Sequence, residues 1–147
     1  CSSDLMPTSR RHARRDGVEI AMKKPIKAYN WDDIPERELK PGIIQRGFRS
    51  DGVMVTYNYL QPGCKGSPHS HPFDQIFMVI QGRVTLHVED QTFDCKPGTV
   101  IRIPPQHVHY VDPPSPEDGV AINVDIFGPA REDYLNIVGY QDDEFSK

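Results

Sequence analysis

Gly63–Gly82 reads GCKGSPHSHPFDQIFMVIQG, and the two histidines near its middle decide how the chain is read. His69 and His71 are separated by one residue. Side chains on an extended segment alternate faces, so both imidazoles point to the same side. That side then carries two good ligands for a transition metal. The Pro and Gly residues around the pair also suit a loop with solvated or capping histidines, and the pair alone leaves both readings open. Gln75 opens the apolar run Ile76-Phe77-Met78-Val79-Ile80. If a strand is entered at Gln75, its amide oxygen falls beside the histidines, and Phe77 and Val79 continue the same wall.

Spacing carries the reading further. Five residues separate Gly63 from His69, one separates His69 from His71, three separate His71 from Gln75, and six separate Gln75 from Gly82. This resembles the first motif of the cupins, with Gln75 where glutamate is usual. A second stretch, Gly98-Thr99-Val100-Ile101-Arg102-Ile103-Pro104-Pro105-Gln106-His107-Val108-His109, resembles their second motif, with His109 in the place of its histidine. Gln106 stands where that motif usually has glycine, and Pro113 where asparagine often closes it. The two motifs lie in order, fifteen residues apart, and the resemblance covers about Arg46 to Arg131. It implies an all-β, single-domain cupin jelly-roll β-barrel, to which this chain adds a short N-terminal extension outside the resemblance.

Composition agrees with one globular domain. The chain has 147 residues, 37% hydrophobic and 26% charged, which is enough to bury a moderate core. No apolar run approaches the ~18 residues of a membrane span. With a net charge of −4 and no basic face beyond the N-terminus, neither nucleic acid nor a membrane is an expected partner. Cys1, Cys64 and Cys95 cannot all pair within the chain and match no zinc spacing, so a reducing, cytoplasmic setting is expected. Cys64 reads as a small packing residue. Residues 1–21 are rich in Ser and Arg and read as a disordered tail, or as an addition ahead of a natural start at Met22; the cupin domain is expected over 22–147.

Along the chain, Tyr29–Lys40 suggests a short helical turn laid across the body, stopped by Pro41-Gly42. Ile43–Phe48 reads as an edge strand, and Val53–Leu60 as a strand with Val53, Val55, Tyr57 and Tyr59 on one face. Val84–Val88 follows as a short strand with His87 on the surface side, Asp90–Cys95 as a turn and a short strand, and Thr99–Ile103 as a further strand after the Lys96-Pro97-Gly98 turn. Ile76, Met78 and Ile80 oppose Phe77 and Val79, so that strand is expected to be covered on both sides by a second sheet or another subunit. A homodimer is the expected assembly.

The motif register makes His69, His71, Gln75 and His109 the expected metal ligands, and leaves His107 at the mouth or behind the ligands. Three imidazoles and a carbonyl oxygen suit one divalent ion of nickel, manganese, iron, cobalt or zinc. In Ala121–Leu135, AINVDIFGPAREDYL, Asn123, Asp125 and Phe127 share a face, and Arg131 follows the Gly128-Pro129 turn. These could be a plain final strand with a surface aspartate and arginine. Facing a metal, they would instead supply a carboxylate base, an aromatic platform and a guanidinium fork.

The form His-Ser-His-Pro-x-x-Gln, together with Asp-x-Phe-x-Pro-x-Arg-Glu-Asp, is similar to the small cupins of pectin and alginate breakdown. That resemblance implies opening of 4,5-unsaturated uronate monosaccharides to the linear 5-keto-4-deoxyuronate. Asp125 and Arg131 would be catalytic, and Phe127, Arg131, Phe77 and His107 would meet a carboxylated sugar. Two other readings stay open: a mononuclear iron(II) dioxygenase or other metal-dependent lyase or isomerase, and a non-catalytic sugar-acid binding module.

Overall fold

The computed structural model describes residues 23–145; the N-terminal tail and the start at Met22 expected from the sequence lie outside the described residues. Nine strands form two antiparallel sheets: β1 (Arg37–Lys40), β2 (Ile43–Arg49), β3 (Met54–Leu60), β4 (Asp74–Gln81), β5 (Val84–Val88), β6 (Gln91–Cys95), β7 (Val100–Ile103), β8 (His109–Asp112) and β9 (Ala121–Gly128). One sheet runs in the order β1-β2-β3-β9-β4-β7, the other β6-β5-β8. Their facing sides enclose Phe77, Val79, Val84, Leu86, Ile103 and Ala121, all buried. This is the all-β jelly roll expected from the motifs.

Two expectations at the N-terminal side need correction. Only Trp31–Asp33 is helical, as a single 3-10 turn, and Arg37–Lys40 is a strand. The five residues between Pro35 and Pro41 cannot recover the cost of nucleating a helix. Pro41-Gly42, with Gly42 at φ +83°, instead forms the tight turn that lays β1 against β2. Consequently β2 is flanked by β1 and β3 and is not an edge.

In β3 the inward residues are Met54, Thr56, Asn58 and Leu60, while Val55, Tyr57 and Tyr59 face out. Trp31 covers the outer side, its ring 5.0 Å from Tyr57. Cys64 is buried in the core, as a packing residue should be. Ile76 and Ile80, by contrast, are exposed together with Val100 beside them on β7, so nothing within the described chain covers that side of β4.

A segment the sequence left unassigned closes one end of the barrel. Glu132–Gln141 is a 3-10 helix, and its Val138 packs with Met54 and Phe127. Gln141 behaves as a substitute strand partner: its Oε1 accepts from the Arg49 backbone N–H at 2.8 Å, and its Nε2 donates to the Arg49 carbonyl at 3.0 Å. The helix lies so close to β2 that a Cβ on Gly47 would come within 2.6 Å of Ile137 Cδ1.

Gly82, which ends the first motif, has φ +75°, and a Cβ there would meet Ala121 Cα at 2.8 Å and the Val120 carbonyl oxygen at 3.0 Å. Both the backbone conformation and the close approach require glycine. Gly82→Ala is expected to destabilise the fold by about 1–3 kcal/mol, read as a lower midpoint in thermal unfolding; an unchanged midpoint would contradict this account of the turn.

Candidate metal centre

The two motifs meet through their backbones. His69 N–H donates to the His109 carbonyl at 3.1 Å, and His109 N–H returns a bond to the His69 carbonyl at 2.9 Å. Gln106 N–H donates to the His71 carbonyl at 2.7 Å. Gln106 itself sits at φ +66°, the left-handed region, which accounts for the glycine usual at this place in the motif.

Each imidazole is oriented by its own segment. His69 Nδ1 lies 2.7 Å from the Ser67 carbonyl, His71 Nδ1 3.2 Å from that of Phe73, and His109 Nδ1 2.8 Å from that of His107. A carbonyl only accepts, so each Nδ1 carries the hydrogen and each Nε2 presents a lone pair. The three residues offer ligand atoms within 4.8 Å of one another. His71 and His109 are buried, whereas His69 is exposed and marks the open side.

Two features of this cluster call for a cation. His109 Nε2 is buried without any hydrogen-bond partner. His71 Nε2 lies 2.9 Å from Gln75 Oε1, although Gln75 Nε2 already donates to Asp125 Oδ1 at 2.9 Å. Lone pairs therefore converge on one point. Protonation is a poor remedy, because burial lowers the pKa of His71 and pushes that of His109 down to about 4. A divalent ion satisfies every one of these atoms, and His69, His71 and His109 could hold it, with Gln75 Oε1 beside them. Neutral nitrogen donors suit the later first-row divalent ions.

The cluster opens into a cavity of about 360 Å³ lined by Gln75, Phe77, Asp125, Phe127, Arg131 and Tyr134, among others. Asp125 keeps one side toward that cavity and is otherwise enclosed by protein. Burial pushes its pKa up to about 6, opposed by hydrogen bonds from Gln75 and Asn123, the charge of Arg131 and a bond from Asn58. Arg131 donates Nε to Asp133 Oδ1 at 3.0 Å and lies over the rings of Tyr134 at 3.7 Å, Phe127 at 4.9 Å and Phe73 at 5.1 Å. The cavity thus holds a carboxylate and a guanidinium against aromatic walls. Its deeper part is apolar, with Ile43, Leu60, Leu86 and Val111.

Of the residues expected from sequence, His69, Gln75, Phe77, His109, Asp125, Phe127 and Arg131 all line this cavity. His71 stands beside it, its Nε2 against Gln75. His107 does not line it; its ring turns back, with Nδ1 3.1 Å from the Pro105 carbonyl, and its own carbonyl orients His109. Sequence reasoning missed Tyr134, Phe73, Gln45 and Asn58. The last two had a signal in β2 and β3, where buried positions are polar.

The fold is a cupin jelly roll, and the family model described as Cupin domain matches residues 57–126, so a cupin domain is present there. Among solved structures, KdgF from Halomonas sp. is similar at 27% identity and a TM-score of 0.64, over 69% of this chain and 94% of that one. An RmlC-like cupin from Shewanella frigidimarina (21% identity, TM-score 0.67, 77% of this chain and 99% of that one) shares the fold. So does the polyketide cyclase RemF from Streptomyces resistomycificus (20% identity, TM-score 0.61, 74% and 82%). No curated protein sequence matches the chain. No helix among the described residues is long and apolar enough to cross a membrane.

His109→Ala removes the buried, unpartnered nitrogen. It is expected to weaken binding of added nickel or manganese on the order of 100-fold or more, measured by titration calorimetry, with the secondary structure unchanged by circular dichroism. Undiminished binding would move the metal away from this cluster.

Proposed function

We propose that the chain is a metal-dependent enzyme that opens the ring of 4,5-unsaturated uronate monosaccharides to the linear keto acid. The observation that carries this reading is the pairing of Asp125, held in a buried polar nest beside Gln75, with Arg131 on an aromatic floor in the same cavity. The similarity to KdgF from Halomonas sp. and the Asp-x-Phe-x-Pro-x-Arg pattern support it. A cavity of about 360 Å³ suits one small-molecule ligand.

A divalent ion held by His69, His71, His109 and Gln75 would act as a Lewis acid, drawing electron density from oxygen atoms of the substrate. Arg131 orients the substrate carboxylate by charge-assisted hydrogen bonds, its own geometry held by Asp133 and the ring of Tyr134. Phe127 and Phe77 form apolar wall against the sugar. Asp125 accepts the proton of the anomeric hydroxyl as the bond between the anomeric carbon and the ring oxygen breaks. The ring oxygen takes up a proton, and the resulting enol becomes the ketone. Atoms are conserved and no electron acceptor is needed.

A carboxylate pushed up to about 6 is well matched to proton abstraction near neutral pH. The base must be ionised, so turnover is lost as pH falls through the pKa of Asp125. A bound cation adds positive charge and lowers that value, which places the acid limb at or below about pH 6. The test is loss of the ultraviolet absorbance of a 4,5-unsaturated uronate. Metal-loaded protein should accelerate it over the spontaneous rate, chelator should abolish the acceleration, and Asp125→Asn should lower kcat by roughly 10²–10⁴-fold. Wild-type turnover by metal-loaded Asp125→Asn would exclude Asp125 as the base.

The apolar depth formed by Ile43, Leu60, Leu86 and Val111 favours a second reading, a metal-dependent enzyme acting on a ligand with an apolar part. Oxygen uptake by iron-loaded protein, with no effect on the uronate, would select a dioxygenase of that kind. A homodimer covering Ile76, Ile80 and Val100 accompanies either reading, checked as twice the chain mass in light scattering.

A further inference from the structure

The hydrogen bonds that run from Arg37 across the sheet to Asp125 have one direction. Arg37 on β1 donates Nε and Nη2 to Gln45 Oε1 at 3.1 and 2.8 Å. Gln45, which is 2% exposed, must then turn its Nε2 to the next strand, where it donates to Asn58 Oδ1 at 3.0 Å. Asn58, 4% exposed, is left with its two amide hydrogens: one goes to Asp125 Oδ2 at 3.2 Å, the other to Thr56 Oγ1 at 3.3 Å. From the opposite side Gln75 Nε2 reaches Asp125 Oδ1 at 2.9 Å.

Strand register builds this chain. Arg37 is paired with Gln45, Gln45 with Asn58, and Thr56 with Asp125, so the donors cross β1, β2, β3 and β9 along the inner face. An amide can be turned over, exchanging donor and acceptor. A guanidinium cannot, because it has no acceptor. The donor-only outer end and the acceptor-only carboxylate therefore impose the same sense on every amide between them. With the sense reversed, Asn58 Oδ1 would face Asp125 Oδ2, two buried acceptors in contact.

We propose that Arg37, Gln45 and Asn58 are positioning residues that act through their hydrogen bonds to hold the Asp125 carboxylate in its reactive orientation. The proposal rests on the reading of Asp125 as the base. A buried polar ladder that served only stability would make a different prediction, since its loss would weaken the fold without acting on turnover in particular.

Gln45→Glu separates the two. Glutamate still accepts from Arg37 but gives Asn58 nothing, so Asn58 meets an acceptor on each side and keeps its bond to Asp125 Oδ2 only by setting its own Oδ1 against a carboxylate oxygen at position 45. Arg37→Met removes the outer donor, and Arg37→Lys keeps one. In metal-loaded protein, Gln45→Glu and Arg37→Met are expected to lower kcat by about 10- to 100-fold, with KM within about twofold and Arg37→Lys recovering most of the loss. Metal content should match the wild type in all of them. Arg37 also lies over Tyr134 at 4.9 Å, and Gln45→Glu, which leaves that contact in place, shows that the effect does not pass through the ring.

Wild-type kcat in both Gln45→Glu and Arg37→Met, with Asp125→Asn inactive, overturns the positioning role. An active Asp125→Asn sinks the base assignment instead, and with it the use proposed for the chain. A readout independent of turnover is the side-chain amide signal of Asn58 in ¹H–¹⁵N spectra of the metal-free protein. It should move in Gln45→Glu, and an unmoved signal overturns the directional chain whatever the rates are. If Gln45→Glu does not fold, Arg37→Met carries the same two measurements.

Discussion

The structure turns on the pair of backbone hydrogen bonds between His69 and His109. They join a loop from the six-stranded sheet to the first residue of β8 in the three-stranded sheet, and so close the barrel at the point where the imidazoles converge. Local carbonyls then orient the rings, one for each Nδ1. The consequence is chemical. Three nitrogen lone pairs and an amide oxygen gather at the mouth of the cavity, and the buried His109 Nε2 has no partner at all. A site of this kind is costly without a cation, because burial disfavours the protonated imidazoles that would otherwise relieve it.

Around the centre, polarity is graded across the barrel. The side nearest β2, β3 and β9 is lined by Gln45, Thr56, Asn58, Asn123 and Asp125, all but the last fully buried. The deeper part between the sheets is hydrocarbon. Buried polar groups are tolerated only when bonded, and the side-chain amides here are satisfied by one another and by Asp125. The same arrangement gives Asp125 donors at both oxygens, which oppose the rise in its pKa that burial imposes. Arg131 supplies the opposite charge from the far rim, stacked among three aromatic rings.

The inversion of polarity in β3 explains what pattern reading loses. Val55, Tyr57 and Tyr59 are the more hydrophobic set, and a rule that points apolar residues inward would take them for core. They face out because the lumen on that side is a polar site, and because Trp31 is available to cover Tyr57. Arg37–Lys40 is similar: its residues favour helix, yet the Pro41-Gly42 turn and the open edge of β2 make it a strand. Arg37, Gln45 and Asn58 meet only because those strands lie side by side.

What the sequence by itself determined is the local chemistry and its spacing. His-x-His on an extended segment, Gln75 four residues on, His109 after a turn at Gln106, and Asp125 and Phe127 on one face of a strand follow from periods and turn residues within short windows. The tertiary structure alone decided which distant groups share a cavity. It turned His107 away, brought Tyr134 and Asp133 to Arg131 through a closing helix, and aligned an arginine, a glutamine and an asparagine into one directed chain. The directed chain depends on strand register between segments far apart in the chain, while His107 and Arg131 are set by local hydrogen bonds to Pro105 and Asp133; no strand or helix period records either.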